Sequence, residues 1–127
     1  MFFYAVTSRS KFMPNVELDF EYYKRAYTNG SPETEEADLR RCLNSATDFS
    51  QMFWVYNAAW SKRQDGMHNA IRPETLKRLI ALATNAEDAC QALIQASKLK
   101  RHGQLLYPTR YREAVKKMQS FTNPAQS

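Results

Sequence analysis

Between Lys98 and Lys117 the chain reads KLKRHGQLLYPTRYREAVKK. That is seven lysines and arginines, one histidine, two tyrosines and a single carboxylate, Glu113. Holding a phosphate backbone requires this density of cationic groups, and interleaved aromatic rings suit stacking on the bases of a single strand or an RNA. A cluster with so little negative charge repels itself unless anions are near. The candidate nucleic-acid-binding residues are therefore Lys98, Lys100, Arg101, His102, Tyr107, Arg110, Arg112, Lys116 and Lys117. Ordinary structure accounts for some of them. The pattern places Lys98, Lys100, Arg101 and His102 in the last turn of a helix, where the dipole favours cations whatever their function. Arg110 falls in the first turn of the next helix, where positive charge is disfavoured, so the dipole does not explain it. Arg112 and Lys116 flank one side of that helix's apolar stripe, and Arg110 and Lys117 the other. Tyr111 lies on the stripe and is expected to pack inward; Tyr107 is more open. No RNP sequence, GXXG loop or zinc-finger spacing accompanies these residues.

A second constellation is RQDGMH, where four residues separate Arg63 from His68. The pair resembles the Arg-x(4–6)-His motif of HEPN-type ribonucleases, which are small all-helical domains. The resemblance covers six residues. It implies a metal-independent ribonuclease in which Arg63 stabilises phosphate charge and His68 helps move the proton of the RNA 2′-hydroxyl, usually across a dimer. Gly66 stands between the two, where that family runs on in helix, and without the motif His68 reads as a loop histidine. No other catalytic signature is present: no phosphate-binding glycine loop, no HExxH, no nucleophile with its base. Glu33, Glu35, Glu36 and Asp38 read as solvated carboxylates at a helix start. Glu35 and Asp38 have the spacing of a metal-binding pair, but no histidine joins them. Cys42 and Cys90 each fall on an apolar helical stripe as small hydrophobes, with no CxxC and no Cys/His cluster. The sequence implies neither a metal nor a cofactor.

The elements that must position these groups are helical. Three glycines and five prolines in 127 residues are too few for the turns of an all-β fold. The expected fold is an all-α, compact single-domain bundle of about five helices around one long central helix, about 32–63. A minor two-stranded N-terminal element would pair FFYAVT with QLLY at 104–107. A first helix is expected over 16–28, capped by Asn15. Ser31, Pro32 and the acidic run after them mark the next helix start. From there Leu39, Cys42, Ala46, Phe49, Phe53, Tyr56 and Trp60 recur at alternating spacings of three and four, which predicts an unbroken helix. Ser45 and Asp48 have capping-box spacing and offer the alternative of a break near Asn44. The same repeat admits a homo-oligomer through the long helix, as a coiled coil. KRQDGMHNAIRP reads as a linker. Three further segments read as helices: RPETLKRLIALAT; TNAEDACQALIQASKLKRHG, with a Thr84/Glu87 capping box and a Gly103 stop; and PTRYREAVKKMQSF. A polar tail, 122–127, closes the chain.

Charge is unevenly placed. The net +5 divides into −2 over residues 1–60 and +7 over residues 61–127. The apolar start MFFYAVTSRSKF is too short for a signal peptide or a membrane span. With its cysteine usage, this points to a reduced, cytoplasmic compartment. The expected function is that of a small non-enzymatic nucleic-acid-associated protein, an accessory subunit of a nucleoprotein complex or a regulator of phage or mobile-element type. Lys62, Arg63, Lys77 and Arg78 would help if they share its face. The alternatives are an inhibitor or adaptor docking an acidic partner protein, and the HEPN-like ribonuclease.

Overall fold

The computed structural model describes residues 19–61 and 71–122. The strand expected in FFYAVT, the pair Arg63–His68 and nearly all of the polar tail lie outside them; Thr122 is the last residue of a helix, and the first helix, expected over 16–28 with Asn15 as its cap, instead begins at Phe20 behind Asp19, whose backbone is extended.

Among the described residues the fold is all-α, with six helices and one very short β-hairpin. Helix α1 (Phe20–Asn29) starts at Asp19, whose carboxylate accepts from the Tyr22 N–H at 3.1 Å. A single 3-10 turn, Pro32–Thr34, leads into α2 (Glu35–Ser45). Then come α3 (Phe49–Ser61), α4 (Ile71–Leu82) and α5 (Ala86–Lys98), which Asn85 caps through the Asp88 N–H at 2.8 Å. Strands β1 (Lys100–Arg101) and β2 (Gln104–Leu105) pair antiparallel, and α6 (Pro108–Thr122) follows.

The expected long helix 32–63 is two helices. At Ala46 the backbone turns to φ −70°, ψ 130°, and α2 ends. Asp48 caps α3 by accepting the Gln51 N–H at 2.8 Å, while the Gln51 side chain reaches back to accept the Thr47 N–H at 2.8 Å. These bonds satisfy donors that a new helix start leaves orphaned. The capping partners are Asp48 and Gln51, not Ser45 and Asp48; the Ser45 hydroxyl donates back to the Cys42 carbonyl. The coiled-coil seam is thereby interrupted, and its residues Leu39, Cys42, Phe49 and Tyr56 are buried inside the chain, with Phe53 and Trp60 half-buried.

The helices pack as three consecutive pairs: α1 on α2, α3 on α4, α5 on α6. Helix α2 also meets α3, and α4 meets both α5 and α6, so the middle pair joins the outer two. The core runs through Leu39 and Leu43 of α2, Met52 and Val55 of α3, and Ile71, Leu76 and Leu79 of α4. In the third pair small residues replace large ones. Ala89, Ala92 and Ala96 on α5 and Ala114 on α6 are all buried, and side chains that short let two helices approach closely.

Residues 98–105 are not a helix end running to Gly103. The helix ends at Lys98. Lys100 pairs with Leu105 and Arg101 with Gln104, and the Leu106 N–H donates to the Leu99 carbonyl at 2.7 Å in the same register. The two-residue loop has φ 54° at His102 and φ 81° at Gly103. Positive φ at both central residues is the signature of a type I′ turn, whose twist matches the strands it joins.

Candidate nucleic-acid interface

The nine candidate residues divide into two groups. Arg110 is half-buried, and its guanidinium meets Glu113 at 2.7 Å, three residues on in α6. It also lies close enough to Glu74 of α4 to help hold that carboxyl below the usual range, although the main cause is the hydrogen bond from Arg78 Nε at 2.8 Å. Arg110 is thus paired with Glu113 inside α6 and answers its unfavourable place at a helix N-terminus locally. The ammonium of Lys117 donates to the Ala81 carbonyl in the last turn of α4, at 3.1 Å. Both are structural cations.

Lys98, Lys100, Arg101, Arg112 and Lys116 are exposed, and among the described residues none has a carboxylate within salt-bridge distance. Arg112 has only a long 3.3 Å contact with the Thr109 hydroxyl. His102 is exposed at the hairpin tip. Lys98 closes α5, Lys100 and Arg101 lie on β1, and Arg112 follows in the second turn of α6, so four of the five gather where the third helical pair turns back. Lys116 continues the exposed face of α6 four residues beyond Arg112, about 6 Å along the axis. Because Lys100, Arg101 and His102 are not in a helix, the dipole does not account for them; it accounts for Lys98 alone.

The tyrosines are not poised for stacking. Tyr107 is half-buried, edge-on to Trp60 with ring centroids 6.1 Å apart, and Tyr111 is half-buried against the core. Tyr107 thereby ends a chain of ring contacts that runs from Phe49 through Phe53, Tyr56 and Trp60.

Two further cations from the basic half are also absorbed. Arg72 Nε donates to the Ala59 carbonyl near the end of α3 at 2.8 Å, and its guanidinium stacks over Trp60 at 5.1 Å. Arg78, beside its bond to Glu74, reaches the Leu43 carbonyl near the end of α2 at 3.4 Å. Lys77 is exposed on α4. Arg72, Arg78 and Lys117 therefore serve the C-terminal carbonyls of α3, α2 and α4, a use of cations that no local pattern announces.

Among the described residues no group of three His, Cys, Asp or Glu side chains is placed to hold a metal ion. Asp38 is buried and bound by Arg41 at 3.0 Å. Burial, with Asp38 nearby, pushes the Cys42 thiol up to about 11. No described helix is long and apolar enough to cross a membrane. Comparison with known protein families, with curated proteins and with solved structures finds no match for this chain.

Proposed function

We propose that the chain is a small, non-enzymatic nucleic-acid-associated protein, an accessory part of a nucleoprotein assembly, that holds the phosphate backbone through Lys98, Lys100, Arg101, Arg112 and Lys116. The observation that carries this reading is the sorting of the basic residues. Arg72, Arg78, Arg110 and Lys117 are bound by carbonyls or carboxylates of their own chain, while these five are exposed and among the described residues have no acidic partner. Unpaired cations at one end of a helical pair offer a polyanion binding energy that no internal contact has consumed, largely through counterion release. The compartment proposed is the reducing cytoplasm, where the free thiols of Cys42 and Cys90 persist.

The test is binding of the full chain to single-stranded DNA, duplex DNA and RNA across a salt series. Three to five phosphate contacts correspond to a log–log salt slope of about −2 to −4. Arg112→Ala with Lys116→Ala should weaken all three by a similar factor, because phosphate contacts position a protein without reading sequence. Affinity that is negligible for every nucleic acid at low salt, or that ignores the double variant, refutes the reading and transfers the surface to an acidic protein partner.

A further inference from the structure

We infer that the hairpin Leu99–Leu106 enters the major groove of B-form duplex DNA, with Arg101 and Gln104 set against base edges and Lys98, Arg112 and Lys116 on the flanking phosphates. This inference rests on the phosphate-binding reading and goes beyond it.

Three observations select the duplex. The first is that, among the described residues, no exposed aromatic ring stands among these cations. Sequence-tolerant binding of single strands relies on exposed ring faces among the cations. Here Tyr107 is turned edge-on to Trp60 and Tyr111 packs on the core. The one exposed tyrosine among the described residues, Tyr22, stands on α1 in the first helical pair. The second is the shape of the tip. Residues 100–104 are exposed without interruption and form a two-stranded ribbon closed by a two-residue turn. Its strands lie about 5 Å apart. A ribbon of that kind is admitted by the roughly 12 Å major groove of B-DNA, whereas the deep, narrow major groove of A-form RNA excludes it.

The third is the pair that closes the turn. Arg101 and Gln104 are direct cross-strand partners, so their side chains stand on one face of the ribbon, with Cβ atoms about 5 Å apart. Both are exposed, while Leu105, on the opposite face with Lys100, is half-buried. Arginine and glutamine are two of the side chains whose paired donors and acceptors match purine edges, arginine with guanine and glutamine with adenine. No carboxylate lies in the tip to repel phosphate or compete for Arg101: residues 98–112 contain none.

The experiment is fluorescence anisotropy of the full chain with a duplex DNA, its single strand and the duplex RNA of the same sequence. Selection from a randomised duplex DNA library follows. Duplex DNA should bind at least about tenfold more tightly than the other two, and selection should enrich a short G- and A-containing step. Arg101→Ala with Gln104→Ala, both exposed and harmless to the core, should erase that preference. A lost bidentate contact corresponds to about fivefold to a hundredfold in discrimination. Arg112→Ala with Lys116→Ala should instead weaken every duplex alike and leave the preferred step unchanged. Equal affinity for single strand, RNA and duplex, or a selected step that survives the Arg101/Gln104 double variant, overturns the groove inference while the phosphate reading stands. Negligible binding to all three at low salt overturns both.

Discussion

Arg110 and Arg112 stand two residues apart in one helix and do opposite work. Arg110 is held by Glu113; Arg112 faces solvent. Arg110→Ala should lower unfolding stability by about 1 kcal/mol, the upper end for a partly exposed pair, with little effect on nucleic-acid affinity. Arg112→Ala should stay within about 0.5 kcal/mol in urea titration and take the larger share of lost affinity. The sequence shows both as basic residues near a helix start. It does not say which of the two takes Glu113 as its partner, and it hides the Ala81 carbonyl that Lys117 reaches. Glu74 supplies a second test. Its carboxyl is held below its ordinary 4.5, chiefly by the Arg78 hydrogen bond. A depressed carboxylate stabilises the fold fully above its unfolded value and loses that contribution as pH falls through the folded one. Wild type should therefore lose stability more steeply than Glu74→Gln on acidification below about pH 4.5, measured by urea midpoint against pH.

Among the elements, the break between α2 and α3 shows why a periodic pattern misleads. Leu39, Cys42, Phe49 and Tyr56 keep one register because both helices bury the same side of the chain, so apolar spacing passes through Ala46 without a mark. Only the polar residues Thr47, Asp48 and Gln51 record the new start. Asp48→Ala should cost about 1 kcal/mol in thermal or urea unfolding, the usual loss for an N-cap. Helix existence and type are legible almost everywhere, because the apolar stripes of α1, α4, α5 and α6 repeat at helical spacing, although the capping residues are Asp19 and Asn85 and not the expected Asn15 and Thr84. The β-hairpin is not legible, since His-Gly is a less familiar type I′ pair than Asn-Gly and continues a basic helix end. At Gly103 a methyl group would meet nothing within 4 Å, so the cost of Gly103→Ala is that of φ 81° alone. It should loosen the hairpin by about 1 kcal/mol, read as roughly fivefold faster exchange of the Leu106 amide.

For the whole molecule, the excess of positive charge in the second half has two sources. One is the exposed set on the third helical pair. The other is structural: Arg72, Arg78 and Lys117 turn back to carbonyls of earlier helices. A net charge of +5 therefore overstates what is available to a partner, and composition could not divide the two. The pairing of α1 with α2, α3 with α4 and α5 with α6 makes most contacts short in sequence. Chains rich in local contacts pay little loop-closure entropy before their contacts form. Refolding by stopped-flow dilution from urea should accordingly finish within milliseconds.

The carbonyl of Leu43 accepts from Arg78, 35 residues later, and that of Ala81 from Lys117, 36 residues later. During synthesis at about 5–20 residues per second, each of these helix ends emerges and waits a few seconds for a cation not yet made. Water serves α2 until α4 arrives, and α4 until α6 does. Each newly made helical pair thus fastens the one before it, and the last fastening, Lys117, lies on the same helix that carries Arg112 and Lys116 outward.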